Sequence, residues 1–321
     1  MTAQVPPDED DDAPTPCLDM PTIKAADKAA GCKHYITDKA CRSWWLNLSL
    51  YSGGPGTCHM AIRQADSKWG DKAMAMARRC MTPDRSSGRP AFFNLGDSHA
   101  SSIELGLSRA LQGRMELAGV QRGDCVWGTS AIRTCDSADH ANVGPYFAAV
   151  TALLEEQLRP GDVVSLLGRE DEHLSTASLE WYNRSVIPML AARGATFLLL
   201  GDYPGIKTVC SGSNAASLAS CVNGEANALS QRSVDGRTKN PVTRGDLSGT
   251  AAAFAASHEG VRFMSLAPFF CSSPFSADSK CTTFLPGTTV MAHMDDHINR
   301  AGAMYLWPFF CSIFRGWGFF D

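Results

Sequence analysis

The chain has 321 residues, 44% of them hydrophobic and 19% charged, a composition that can bury a sizeable core and excludes a collagen-like or disordered chain. Formal net charge is -4 with a sequence pI near 6.1, which excludes a basic nucleic-acid surface. Mean hydropathy is -0.13, and no run approaches the roughly 18 apolar residues of a membrane span.

Residues 1–16 are acidic and Pro-rich and read as a disordered linker. Residues 17–89 carry Cys17, Cys32, Cys41, Cys58 and Cys80 with Trp44, Trp45 and Trp69 and lack strand alternation. With Asp66 to Cys80 as a helix, they read as a disulfide-tied, mostly helical extension. A catalytic-sized domain spans 90–321. Ala91 to Gly96 is a short apolar run ending at glycine, the pattern of a buried strand. Ser101 to Leu111 has helical spacing, with Ile103, Leu107, Ala110 and Leu111 on one face. Met115 to Val120 is a second strand, and Tyr146 to Leu158 a helix stopped by Pro160-Gly161. Asp162 to Gly168 is the clearest strand. Leu179 to Ala192 is a helix that Pro188 should kink. Ala195 to Gly201 and Val261 to Leu266 are the last strands, on either side of an insertion at about 205–259 with a helix near Ser248 to Ser257. The helical spacing of Leu306, Phe310 and Phe314 marks the aromatic run from Trp307 to Phe320 as a core helix, not a membrane contact. Nearly all-apolar strands alternating with helices predict an α/β fold with a parallel sheet covered on both faces.

Twelve cysteines are many for a cytosolic chain. Zinc knuckles want cysteines two to four residues apart, and no pair here is that close. The short-spaced pairs Cys32/Cys41, Cys125/Cys135, Cys210/Cys221 and Cys271/Cys281 therefore predict disulfides and an oxidising compartment: secreted, lumenal or periplasmic. The sequons at Asn47 and Asn183 fit that route. No apolar leader follows Met1, so the expectation is a signal or membrane anchor removed from this sequence, or Met1 as an introduced start.

Two short segments carry chemistry. Gly96-Asp97-Ser98-His99 ends the first strand where a helix begins. Asp or Ser there caps the helix, or Ser98 is a nucleophile at the carboxyl edge of the sheet. Near the other end stands Met294-Asp295-Asp296-His297. A serine needs a base, and a histidine with carboxylates close before it can be an oriented one. His34, His59, His140, His173, His258 and His293 show no ligand spacing and are read as surface residues.

Together these segments, with Val163 to Arg169 and Gly302-Ala303, resemble SGNH (GDSL-type) hydrolases over about residues 90–315. More narrowly, they resemble the SGNH domain that follows the membrane part of acyltransferase-3-type sugar O-acyltransferases. The resemblance implies a flavodoxin-like three-layer α/β/α sandwich and cofactor-free serine ester chemistry on O-acylated glycans, by transfer or hydrolysis. It implies Ser98 as nucleophile, His297 as base and the Ser98 N–H as an oxyanion donor. It also implies a glycan or O-acylated carbohydrate as substrate and a membrane acyltransferase domain as partner. The family's acid lies three residues before the histidine, where this chain has Met294. Asp295 is taken as the orienting acid and Asp296 as its alternative. Glu170 stands where many relatives have an asparagine donor, so Gly128, Gly168 and Arg169 are the oxyanion or substrate candidates. The rival reading is a non-catalytic glycan-binding or interaction module on the same fold.

Overall fold

A computed structural model describes residues 58–60, 71–122, 127–128, 143–169, 173–203, 241–272, 280–281, 293–294, 297–298 and 300–320. The strands in chain order are β1 (His59–Met60), β2 (Ala91–Gly96), β3 (Glu116–Ala118), β4 (Gln121–Arg122), β5 (Val163–Leu167), β6 (Thr196–Gly201) and β7 (Val261–Ser265). Four short strands follow: β8 (Cys271–Ser272), β9 (Lys280–Cys281), β10 (His293–Met294) and β11 (His297–Ile298). The helices are α1 (Asp71–Met81), α2 (Ser98–Ser102), α3 (Glu104–Leu111), α4 (Val143–Gln157), α5 (Thr176–Trp181), α6 (Ile187–Ala191), α7 (Pro241–Ala256), α8 (Ala267–Phe270) and α9 (Arg300–Gly316).

The main sheet runs β1-β4-β2-β5-β6-β7, with β3 also on β2, and every pairing is parallel. Parallel strands need covering on both faces, which is why β2, β5 and β6 at the centre of the sheet are nearly all apolar. Alternate residues divide between two cores. Phe93, Leu95, Val164, Leu166, Phe197 and Leu199 pack with α1, α4, α5 and α6. Phe92, Val163, Leu167, Leu198 and Leu200 pack with α2, α3, α8 and α9. The result is the flavodoxin-like three-layer sandwich. Leu306, Phe310 and Phe314 of α9 are fully buried in the second core. No helix among the described residues is long and apolar enough to cross a membrane.

Several elements differ from the sequence reading. The helix expected over Ser101 to Leu111 starts at Ser98 and breaks at Ile103. The helix expected over Leu179 to Ala192 absorbs Pro188 through a π turn at Tyr182–Val186, with the proline in the first turn of α6, where its missing N–H is tolerated. Within the stretch read as an insertion, α7 is a long helix that packs on β7. The N-terminal extension supplies β1, a two-residue edge strand too short to leave a period in sequence.

Cys58 and Cys80, left unpaired by spacing, form a disulfide that ties β1 to α1. Their carbonyls accept from Gln121 N and Gly119 N, so the bridge also anchors the β3–β4 edge. Cys271 and Cys311 each take part in a disulfide, and the β8–β9 register sets Cys271 opposite Cys281. The expected pairs Cys32/Cys41, Cys125/Cys135 and Cys210/Cys221 lie outside the described residues.

At the amino edge of the sheet, the fully buried Asp162 carboxylate binds both terminal nitrogens of Arg85, at 2.8 and 2.7 Å. It also accepts from the backbone N–H groups of Ala91 and Arg159. A buried carboxylate is tolerable only when its oxygens are filled in this way.

His173 is not on the surface. It is fully buried, with Nδ1 2.8 Å from Arg169 O and Nε2 2.7 Å from Leu200 O. These two carbonyls, one beyond β5 and one on β6, are brought together only by the sheet, so no local spacing could announce the role. His258 is half-buried against Phe254, with Nε2 3.0 Å from Asn183 Oδ1.

Candidate active site

The chain leaves β2 toward β3 and β4 on one side, then crosses back to β5 on the other. That reversal opens a crevice at the carboxyl ends of β2 and β5, where open α/β sheets bind ligands. Gly96 makes the turn out of β2 at φ +144°, and a Cβ there would lie 1.7 Å from Leu167 O. Only glycine can hold the backbone this close to β5.

Asp97 caps α2. Its Oδ1 accepts from His99 N at 2.8 Å, and its Oδ2 accepts from Arg169 N at 3.4 Å. The cap and the candidate nucleophile are thus adjacent residues, and Ser98 is released from capping. Beneath α2 lies a buried polar pair that opposes across β2 and β5: Ser165 Oγ donates to Asn94 Oδ1, and Asn94 Nδ2 donates to Ala100 O. Two polar residues inside apolar strands hold the short helix from below.

His297 arrives from the far end of the chain. β10 and β11 form a hairpin in which Met294 opposes His297, leaving Asp295 and Asp296 as the two connecting residues. α9 follows at once and packs on α3, so closely that a Cβ on Gly106 would meet Ala303 O at 2.2 Å. This packing delivers His297 to the crevice, where Nε2 lies 2.7 Å from Ser98 Oγ. With the ring proton on Nδ1, Nε2 accepts the Ser98 hydroxyl proton. Ser98 and His297 are both partly exposed, so substrate can reach them.

The other candidates are placed less directly. Gly168 and Gly128 are buried, Gly168 immediately after β5. Arg169 is partly exposed, and its backbone is committed at both ends, N–H to Asp97 and carbonyl to His173. Asp295, Asp296 and Glu170 lie outside the described residues.

The family of the SGNH domain fused to AT3 domains matches residues 58–311. The chain belongs to this family. The SGNH domain resembles the periplasmic domain of a lipopolysaccharide acetyltransferase from Salmonella ser. Paratyphi A, with TM-score 0.52 and 13% identity over 85% of this chain and 96% of that one. A second similar structure is a putative platelet activating factor from Streptococcus pneumonia, with TM-score 0.44 and 12% identity over 76% and 90% of the two chains. A search of curated proteins found no match.

Sequence reasoning missed two residues of the SGNH domain that stand beside the site. Asp202 and Tyr203 follow β6, and Asp202 Oδ1 lies 2.9 Å from His99 Nδ1. The available signal was a carboxylate directly after an apolar strand, at the edge where sites form.

Glu104 opens α3, just beyond α2, and burial pushes its carboxyl up to about 7 from its ordinary 4.5. The folded state therefore holds this proton more tightly than the unfolded chain does. The sign follows: stability declines as pH rises from about 4.5 through about 7. Glu104→Gln should lessen the fall in melting temperature between pH 5 and pH 8, by about 5 °C. Equal slopes for the two proteins would remove Glu104 as the cause.

Proposed function

We propose that the domain moves O-acyl groups on carbohydrate through an acyl-enzyme at Ser98. The observation that carries this is the 2.7 Å contact between Ser98 Oγ and His297 Nε2 at the switch point of the sheet. Ser98 Oγ attacks the acyl carbonyl carbon as its proton passes to Nε2. The carbonyl electrons move to oxygen, and the Ser98 N–H at the start of α2 donates to that oxyanion. Collapse expels the leaving alkoxide, which takes the proton back from Nε2. A sugar hydroxyl or water then gives its proton to Nε2 and attacks the acyl-enzyme, and Ser98 Oγ leaves, taking that proton from Nε2.

In this reading Asp295 orients His297 and Asp296 is its alternative, because the family's position, Met294, cannot accept an N–H as a carboxylate does. Gly128 and Gly168 are candidate sources of further oxyanion donors, and Arg169 of a substrate contact. Glycan as the substrate class is supported by the similarity to a lipopolysaccharide acetyltransferase domain, and the family's fusion to AT3 domains suggests a membrane acyltransferase domain as partner. The Cys58–Cys80 bridge supports a compartment outside the cytoplasm, periplasmic or secreted.

The test is labelling by a serine-directed phosphonate, read by peptide mass spectrometry, beside turnover of a chromogenic acetate. A single adduct on Ser98 with a burst of released phenol is expected. Absence of both would leave a glycan-binding module on this fold.

A further inference from the structure

We propose that Asp202 and His99 form a positioning pair that sets His297 against Ser98. The proposal deepens the reading of Ser98 and His297 as the working pair and rests on it. α2 has five residues, too few to hold its own shape, and it carries the candidate nucleophile at its first position. Asp97 caps its start, but its side is gripped by residues from two strands away, since β5 separates β2 from β6. Asp202 Oδ1 accepts a hydrogen bond from His99 Nδ1–H at 2.9 Å. The Tyr203 ring stacks on the His99 ring, with centroids 5.1 Å apart and planes 15° apart. Tyr203 Oη lies 2.5 Å from Ser102 Oγ, which donates to His99 O at 2.7 Å. The end of β6 therefore holds both the ring and the backbone of His99.

The held ring has a second neighbour. The His297 ring lies 4.7 Å from the His99 ring, inclined at 48°. His297 comes from a two-residue strand, which fixes little by itself. It rests on an imidazole whose rotation is blocked by Asp202 on its edge and Tyr203 on its face. His99 is 3% exposed and Asp202 2%, so neither is open to substrate, and the pair acts through α2 and His297. Burying a carboxylate and an imidazole is costly, and the apolar sheet does not need them for its register. What the pair supplies is a fixed seat beneath the base.

The test uses the whole domain and the variants Asp202→Asn, His99→Phe and Tyr203→Phe. His99→Phe keeps a ring against Tyr203 and removes the bond to Asp202. Asp202→Asn and His99→Phe should lower kcat on a chromogenic acetate by about 10- to 100-fold, the scale found for groups that orient a site from behind. KM should stay within about twofold, Tyr203→Phe should lose less, and Asp202→Glu should recover part of the loss. Imidazole proton–nitrogen NMR gives a reading free of turnover. The His297 resonances, assigned by their loss in His297→Gln, should move in Asp202→Asn. Cooperative melting of each variant confirms that it is folded.

Undiminished kcat in folded Asp202→Asn and His99→Phe, with unmoved His297 resonances, overturns the pair. A wild-type protein without turnover or Ser98 labelling overturns the acyl-enzyme reading instead. The pair is then judged on the His297 resonances alone: movement upholds it and constancy overturns it.

Discussion

Ser98→Ala is expected to lower turnover of a chromogenic acetate by at least about 10⁴-fold, because members of a serine–histidine unit act together and removing the nucleophile leaves only binding and oxyanion donors. The substitution should spare the fold. The Asp97 cap, the Gly96 turn and the Asn94–Ala100 bond that hold α2 involve no Ser98 side-chain atom. Unchanged melting with no burst and no phosphonate adduct is the expected pattern. A folded Ser98→Ala protein that retains a tenth of the activity would show that the attacking oxygen is elsewhere.

Asp295→Ala is expected to cost about 10²- to 10⁴-fold, and Asp296→Ala far less. The β10–β11 register pairs Met294 with His297, so the two aspartates make the whole connection between the strands. A residue adjacent to the histidine sends its side chain away from the ring, while one two positions before it can turn back across a tight connection. Steady-state rates of the two variants decide the matter. A larger loss in Asp296→Ala reverses the assignment, and full activity in both leaves Ser98 and His297 working as a dyad.

What was legible in sequence follows from how local each cause is. Ala91 to Gly96 could be read as a strand because both faces of a parallel sheet are apolar, and its end because Gly96 must pass Leu167 O without a side chain. Ser98 and His297 stood out because a motif names residues without needing their neighbours. Asn94 and Ser165 left no trace. Each is one polar residue in an apolar run, and their purpose appears only when β2 and β5 align. His173 and Asp202 were missed for the same reason, since Leu200 and His99 belong to elements distant in sequence. Cys58 and Cys80, 22 positions apart, escaped a reading based on shorter spacings, because the sheet edge brings them together.

Ser98 and His297 stand 199 positions apart, with nearly the whole sheet between them. A ribosome or export channel working from the N-terminus releases the hydroxyl with β2, long before its base. At about 5–20 residues per second the lag is on the order of ten seconds or more. Even then His297 reaches its seat only after α9 has closed onto α3 around Gly106 and Ala303. On the proposed reading, the emerging chain carries an ordinary serine until that moment and gains its ester chemistry only when the fold closes.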